Sequence, residues 1–488
     1  MTEGRQTPIA IESGFILRHF VGSAGLLSLG SIATFARAVV TAKLFAVTLG
    51  PSLVGILAQL FNFSALVSVI VPLGLTTGVV KMVAEVRHDD SATNRVVGSA
   101  CVLSLASGFF ASIVLLPASA QISLLLTGST QWAGLVALIV LSFPLYNLAG
   151  TLSYILQGLS EVRMITRANV ANAALSLVIL VPATLTLGLL GAVLTVLVTS
   201  LLQFTLFGVE VLLAYRLRGW RLRHVRPGRA ESQQLLRFGL ILLAGSVAIW
   251  ASLLVVRTQV VQSLGQYQNG LYQAVYGLSN QEITVFMTWM AAYVVPRIAN
   301  QGSRDLNHLL TSGLRANLFL MVPVLTLGVA LRQPLVHIFY SSQFLPAASL
   351  IPMQALGDYL RVVGWSMAAA LFPLGHTRAH LALIVCQSVL WVALTALLLP
   401  ILHLAAVSVA YANSFLPWAP AAYLLLHRWY GIGLSWESAG LMACGLLCVV
   451  TATISPQWLG VISVPLMPLV VLATGRYKRS AVSAADHQ

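Results

Sequence analysis

Of 488 residues, 58% are hydrophobic and only 8% are charged, and the mean hydropathy is +0.89. Soluble domains carry about 25% charged residues, so these figures exclude an ordinary soluble enzyme, a disordered chain and a free nucleic-acid binder. The formal charge of +14 would suggest a polyanionic partner, unless the basic residues prove to mark one side of a membrane.

Apolar runs of about 20 residues span a bilayer. The polar stretch 1–19 lacks a short apolar core with a small-residue cleavage site, so it reads as a cytoplasmic N-terminus and not as a removable signal. Spans are predicted over 20–49, 53–85, 96–117, 131–157, 168–187 and 190–215. A second set covers 238–261, 270–296, 314–331, 348–372, 381–400 and 405–427, and two more cover 436–455 and 458–475. The expected fold is an all-α polytopic membrane protein of about 14 helices. It divides into an N-lobe (20–215), an Arg-rich linker (216–237), a C-lobe (238–428), two additional helices (429–475) and a tail (476–488).

Alternate connections sort by charge. One set holds Arg87 and Arg95, Arg163 and Arg167, the run from Arg216 to Arg237, Arg297 to Arg315, Arg378 and Arg428, together with both termini. The other set is short and nearly free of Lys and Arg, Arg332 excepted. The positive-inside rule makes the charged side, with both termini, cytoplasmic. The net charge is then chiefly a topology signal and implies no nucleic acid. The linker's seven arginines either fix this orientation or grip anionic head groups or an acidic partner.

The two lobes resemble each other. Residues 28–57 laid over 243–272, an ungapped shift of 215, give eight identities in 30 positions. They include Gly30-Ser31 with Gly245-Ser246, Leu49-Gly50 with Leu264-Gly265, and Gly55 with Gly270. A parallel duplication of about six spans puts the symmetry axis along the membrane normal, a transporter architecture in which substrate sits between rocking halves.

An ionisable side chain inside a span is energetically costly and is a functional candidate by default. The basic ones are Arg37 and Lys43 in the first span, Lys81 late in the second, Arg257 in the seventh and Arg361 in the tenth. Well inside, the acids are Glu282 in the eighth span and Asp358 in the tenth. Asp358 and Arg361 are three apart on one helix face, which predicts a local ion pair. Cations then outnumber acids, which favours an anion in the cavity. Arg37 is near mid-span, too deep to snorkel easily. Lys81 and Arg257 lie near span ends, so reaching the head groups stands beside a cavity role for each; Lys43 is intermediate. Amides crowd the hairpin between spans seven and eight, where Gln273, Asn280 and Gln281 are candidate sugar contacts. Such amides equally hold helices together.

Other chemistry is sparse. Cys101, Cys386, Cys444 and Cys448 lie in apolar runs and read as small buried residues. His376 and His380 are four apart with no third ligand evident, so no metal site is expected. Asp89-Asp90 in a cytoplasmic turn reads as solvated charge. None of the three lysines sits in a phosphate-cradling loop, and the external loops are short. A transporter without cofactor is expected in place of an enzyme.

Several segments resemble Wzx-type flippases of the multidrug/oligosaccharidyl-lipid/polysaccharide exporter superfamily. They are KLFAVTLGP (43–51) with Gly55, GLTTGVVKMVAEV (74–86), NGLYQAVYGLSNQ (269–281), YVVPRIA (293–299) and QALGDYLRVVGW (354–365). The resemblance covers most of 20–430 and implies a two-lobed helical fold in a bacterial inner membrane. It implies a substrate of undecaprenyl diphosphate carrying an O-antigen or exopolysaccharide repeat, and a polysaccharide polymerase and chain-length regulator as candidate partners. Lys43, Lys81 and Asp358 sit where charged residues are expected in that family; Arg257 and Glu282 have no matched position. The two extra helices resemble the 14-helix pattern of the lipid II flippase. The expected mechanism is alternating access, with Arg37, Lys43, Lys81, Arg257 and Arg361 toward the diphosphate and Glu282 or Asp358 as coupling acids. A lipid II flippase, an ion-coupled drug exporter and a polysaccharide-assembly scaffold are the alternatives.

Overall fold

A computed structural model describes residues 25–72, 75–220, 225–290, 294–301, 306–433 and 436–454. Among these residues the secondary structure is helical, with no strand, and helices occupy the first thirteen expected spans. The fourteenth span, the tail and the stretch 1–19 lie outside the described residues. Eight of the helices are long and apolar enough to cross a membrane.

The first unit comprises residues 1–44, 67–120 and 133–243. Its helices are the first arm of α1 (Gly25–Ile70), α2 (Leu75–Val86), α3 (Asp90–Leu115), α5 (Ala133–Gly158), α6 (Val162–Leu217) and the start of α7 (Arg229–Leu264). The second unit comprises 45–66, 121–132 and 244–488. It takes most of α4 (Ser119–Thr127), the rest of α7, α8 (Gln266–Trp289), α9 (Val295–Gln301), α10 (Leu306–Ala330) and α11 (Arg332–Phe339). It continues with α12 (Ile351–Ala368), α13 (Thr377–Leu402), α14 (Ala405–Phe415), α15 (Trp418–Tyr430) and α16 (Trp436–Ile454).

Small and polar residues hold the first unit together, as expected where lipid removes the hydrophobic drive between helices. Ser104 and Thr151 are hydrogen-bonded, Asn147 donates to the Ser104 carbonyl at 2.7 Å, and Ser112 donates to the Val140 carbonyl at 2.8 Å. Gly108 lies against the Pro144 backbone and Gly158 against Val83, so α3 and α2 each approach α5 closely. Outward, Phe110, Ile113 and Val178 are each about 70% exposed, an apolar surface suited to acyl chains.

The arginine linker is docked onto this unit. Glu231 in the first turn of α7 pairs with Arg95 at 2.9 Å, which holds its carboxyl below the usual range. Ser99 accepts from the Gly228 amide at 2.9 Å and donates to its carbonyl at 3.1 Å. Asp89 turns out to cap α3, accepting from the Ser91 and Ala92 amides, and those bonds lower its pKa.

The duplication is visible in the backbone. Positive φ occurs at Gly50 (70°), Ser160 (62°) and Gly188 (57°), and again at Gly265 (85°), Gly375 (87°) and His403 (49°), each pair 215 apart. Gly50 and Gly265 share ψ 175°, while Gly188 and His403 have ψ −130° and −135°. The same tight turns therefore close corresponding hairpins in each half. A left-handed turn with ψ near −135° is glycine territory. His403→Gly, which installs the residue of its counterpart, should raise the thermal midpoint in detergent, relieving about 1 kcal/mol. An unchanged or lower midpoint would show that His403 is unstrained.

The appended helix α16 belongs to the second unit. Glu437 pairs with Arg315 on α10, and the Tyr359 hydroxyl donates to the Met442 carbonyl at 2.5 Å.

Candidate functional site

Within the second unit the charged groups gather in two clusters along α8. Asn269, Tyr272, Gln273 and Tyr276, spaced three and four apart, make one helical face. Arg257 of α7 lies against it with no exposed surface. Its Nη2 donates to Gln273 Oε1 at 2.6 Å and its Nη1 to Asn269 Oδ1 at 3.4 Å. Its guanidinium carbon sits 5.2 Å from the Tyr272 ring centre and 5.1 Å from that of Tyr276. Among the described residues no carboxylate forms an ion pair with it. A desolvated cation is here balanced by amide oxygens and π faces. Arg257 thus turns to α8, with its guanidinium enclosed by that helix's amides and rings.

Asn269 also donates to the Gly55 carbonyl at 2.8 Å, joining α8 to the second arm of α1. A Cβ on Gly270 would collide with the Pro51 carbonyl, and one on Gly55 with the Gln266 carbonyl. The two glycines singled out by the repeat are thus where the symmetry-related helices touch.

The second cluster is built on α12. The predicted Asp358–Arg361 ion pair is not direct. The Tyr411 hydroxyl donates to Asp358 Oδ1 at 2.8 Å and accepts from Arg361 Nη1 at 3.2 Å. Gly357 has no Cβ where the Tyr411 ring enters, and this leaves room for the hydroxyl to come between acid and base. Gln354 donates to Ser279 Oγ at 3.2 Å and accepts from Ser408 Oγ at 3.4 Å. Ser279, Glu282, Gln354 and Asp358 line one small cavity, closed otherwise by apolar residues such as Val275 and Leu325. Glu282 Oε1 reaches toward Gly328 of α10, 3.1 Å from where a Cβ there would stand. Two carboxylates sharing a cavity with hydroxyls and an amide suit a proton or a small cation. Both expected coupling acids are brought together here. Of the candidate sugar contacts, Gln273 is committed to Arg257, and Asn280 and Gln281 are half-buried outside both hydrogen-bond groups.

In the first unit Arg37 and Lys43 are half-buried on the first arm of α1. Lys81 is exposed and pairs with Glu85 one turn on, at 3.8 Å. One buried acid escaped the sequence reading: Glu210, 5% exposed, takes two bonds from Arg167 at 2.6 and 2.5 Å. The two residues stand nearly equidistant from the Gly188 turn, which is the signal that could have found them.

A family model described as a polysaccharide biosynthesis protein matches residues 44–349. The chain belongs to this polysaccharide biosynthesis family. It is 24% identical over 336 residues to the lipid III flippases of Escherichia coli (strain K12) and Shigella flexneri, covering 66% of this chain and 77% of each relative. Its fold resembles that of an inward-facing multidrug resistance MATE transporter of the MOP superfamily, with a TM-score of 0.69 and 16% identity over 84% of this chain and 98% of the other. It resembles the lipid II flippase MurJ, inward closed, equally well, with a TM-score of 0.69 and 12% identity over 93% and 99%. A MOP superfamily transporter from Pyrococcus furiosus gives 0.63 and 15% over 89% and 95%. The family-matched stretch includes Lys81, Arg257, Gln273, Asn280, Gln281 and Glu282. Arg37, Lys43, Asp358 and Arg361 fall outside it, so the Tyr411-bridged cluster is a feature of this chain beyond the matched region.

Proposed function

We propose that this protein moves an undecaprenyl-diphosphate-linked oligosaccharide, an O-antigen or exopolysaccharide repeat unit, from the cytoplasmic to the periplasmic leaflet of a bacterial inner membrane by alternating access. The family match over 44–349, together with the lipid III flippase relatives, carries the reading. Both termini are cytoplasmic in this scheme, and a polymerase and chain-length regulator would receive the product. Of the five intramembrane cations, Arg257 is held against α8 by Gln273 and Asn269, Lys81 is paired with Glu85 and Arg361 is shared with Asp358 through Tyr411. Arg37, half-buried near the middle of the first predicted span, is assigned to the diphosphate, with Lys43 a second candidate on the same helix. Outward movement of anionic charge is favoured by an inside-negative potential, by about 2.3 kcal/mol per charge per 100 mV. The test is translocation of a fluorescent undecaprenyl-diphosphate oligosaccharide in proteoliposomes. Arg37→Ala should lower the rate at least about tenfold, the loss of one charge-assisted phosphate contact. An unaltered rate would remove Arg37 from the site, and no translocation by inserted wild-type protein would remove the function.

The cavity holding Glu282 and Asp358 favours a second element, coupling to an inward cation or proton. Asp358→Asn should then abolish the response of transport to an imposed proton or sodium gradient while leaving the response to potential. Equal loss of both responses would mean that Asp358 only holds Tyr411 and Arg361 in place.

A further inference from the structure

The ends of α13 and α15 meet in a surface feature that the transport reading leaves unused. His376, immediately before α13, stacks on Trp429 near the end of α15, with ring centres 4.0 Å apart and planes 16° apart. Its Nε2 is 2.8 Å from the Tyr430 hydroxyl. One turn earlier in α15, His427 Nδ1 donates to the Ile432 carbonyl at 2.8 Å, fixing the turn that follows. These contacts bring Arg378 and Arg428, both exposed, to the same end of the helix pair, and Trp429 keeps 40% of its surface open. Between Asp358 and Glu437 the chain has no acidic residue, so nothing in this segment neutralises the patch.

The faces that carry the arginines continue as apolar surface. Val385 lies seven residues beyond Arg378 on α13 and Val389 four further, and they are 39% and 62% exposed. On α15, Leu424 lies one turn before Arg428 and is 62% exposed. Positions seven and four apart share a helix face. A ligand for this surface is anionic at one end and aliphatic along its length. An acidic protein segment would match the basic end alone.

We propose that this surface binds an anionic phospholipid. Its phosphate lies between Arg378 and Arg428, its head group packs beside the Trp429–His376 stack, and its acyl chains run along Val385, Val389 and Leu424. Arginine and an interfacial tryptophan provide charge and a rigid amphipathic anchor at this depth.

The test uses the full chain in nanodiscs of phosphatidylcholine with and without phosphatidylglycerol, with retained lipid counted by native mass spectrometry. Wild type should retain phosphatidylglycerol. The double variant Arg378→Gln/Arg428→Gln should bind it roughly thirty-fold more weakly, and each single variant roughly five-fold. Arg163→Gln, an exposed arginine at the start of α6, should bind as wild type. If the double variant fails to fold, the single variants and Trp429→Ala are read in its place. Retention by the folded variants equal to wild type would overturn the proposal, as would an equal loss in Arg163→Gln. Displacement of the lipid by a soluble polyglutamate peptide would also overturn it, assigning the patch to an acidic protein.

Discussion

Arg257→Ala should lower the thermal midpoint more than any other single replacement of a charged residue in the second unit. The guanidinium fills space between α7 and α8 and satisfies Gln273 Oε1 and Asn269 Oδ1. Its removal strands the buried Asn269 oxygen, at about 1–3 kcal/mol, and the half-buried Gln273 oxygen at less, and opens a cavity beneath the faces of Tyr272 and Tyr276. The expected loss is about 3 kcal/mol or more. Arg257→Met should be milder, since an apolar side chain of similar length fills the space and removes a costly desolvated charge. Tryptophan-monitored unfolding in detergent measures both. A wild-type midpoint for the alanine variant would show that the guanidinium is not held by α8 at all. If the methionine variant folds and also translocates lipid-linked glycan, Arg257 is a packing cation. If it folds and does not translocate, the cation meets substrate in another state of the transport cycle.

Gly270→Ala should be nearly as damaging, although it adds only one methyl group. The new Cβ lands on the Pro51 carbonyl, and that carbonyl has little freedom to retreat. Pro51 follows directly on the Gly50 turn, and the Gly55 carbonyl one turn on is bonded to Asn269 at 2.8 Å. Overpacking against backbone costs about 1–3 kcal/mol, and the upper end applies where no flexible side chain can swing away. Low yield of folded protein and a depressed midpoint are expected. Gly313→Ala is the control, because its nearest neighbour would stand at an ordinary 3.6 Å. Equal midpoints for the two variants would mean that the arms carrying Gly55 and Gly270 do not approach as described.

The repeat that located Gly55 and Gly270 was legible because a close helix crossing needs glycine, and a need of that kind persists in both halves of a duplicated chain. Neither the identity nor the direction of the partners was legible. Nothing in the register of Arg257 says that Tyr272 and Tyr276, 15 and 19 residues on, will turn their faces to it. Asp358 and Arg361 looked self-sufficient at a spacing of three, and sequence spacing cannot show a tyrosine from α14 coming between them. Glu210 was passed over because it lies near a predicted span end, where an acid attracts little notice; its pairing with Arg167 depends on the hairpin that Gly188 closes.

Composition and period alone determined that this chain crosses a membrane many times, where helices fall among the described residues and that the turns of one half recur in the other. Lipid accepts only long apolar helices with every backbone group bonded internally, so hydropathy along the chain is nearly a map of the fold. Which charges stay available to a ligand was decided by tertiary structure. A cationic side chain at one depth can be exposed, paired with a neighbour one turn away, as Lys81 is with Glu85, or sealed by a helix from elsewhere in the chain, as Arg257 is by α8. Those outcomes differ by the position of a few oxygens and ring faces, which long-range packing sets and local sequence does not encode.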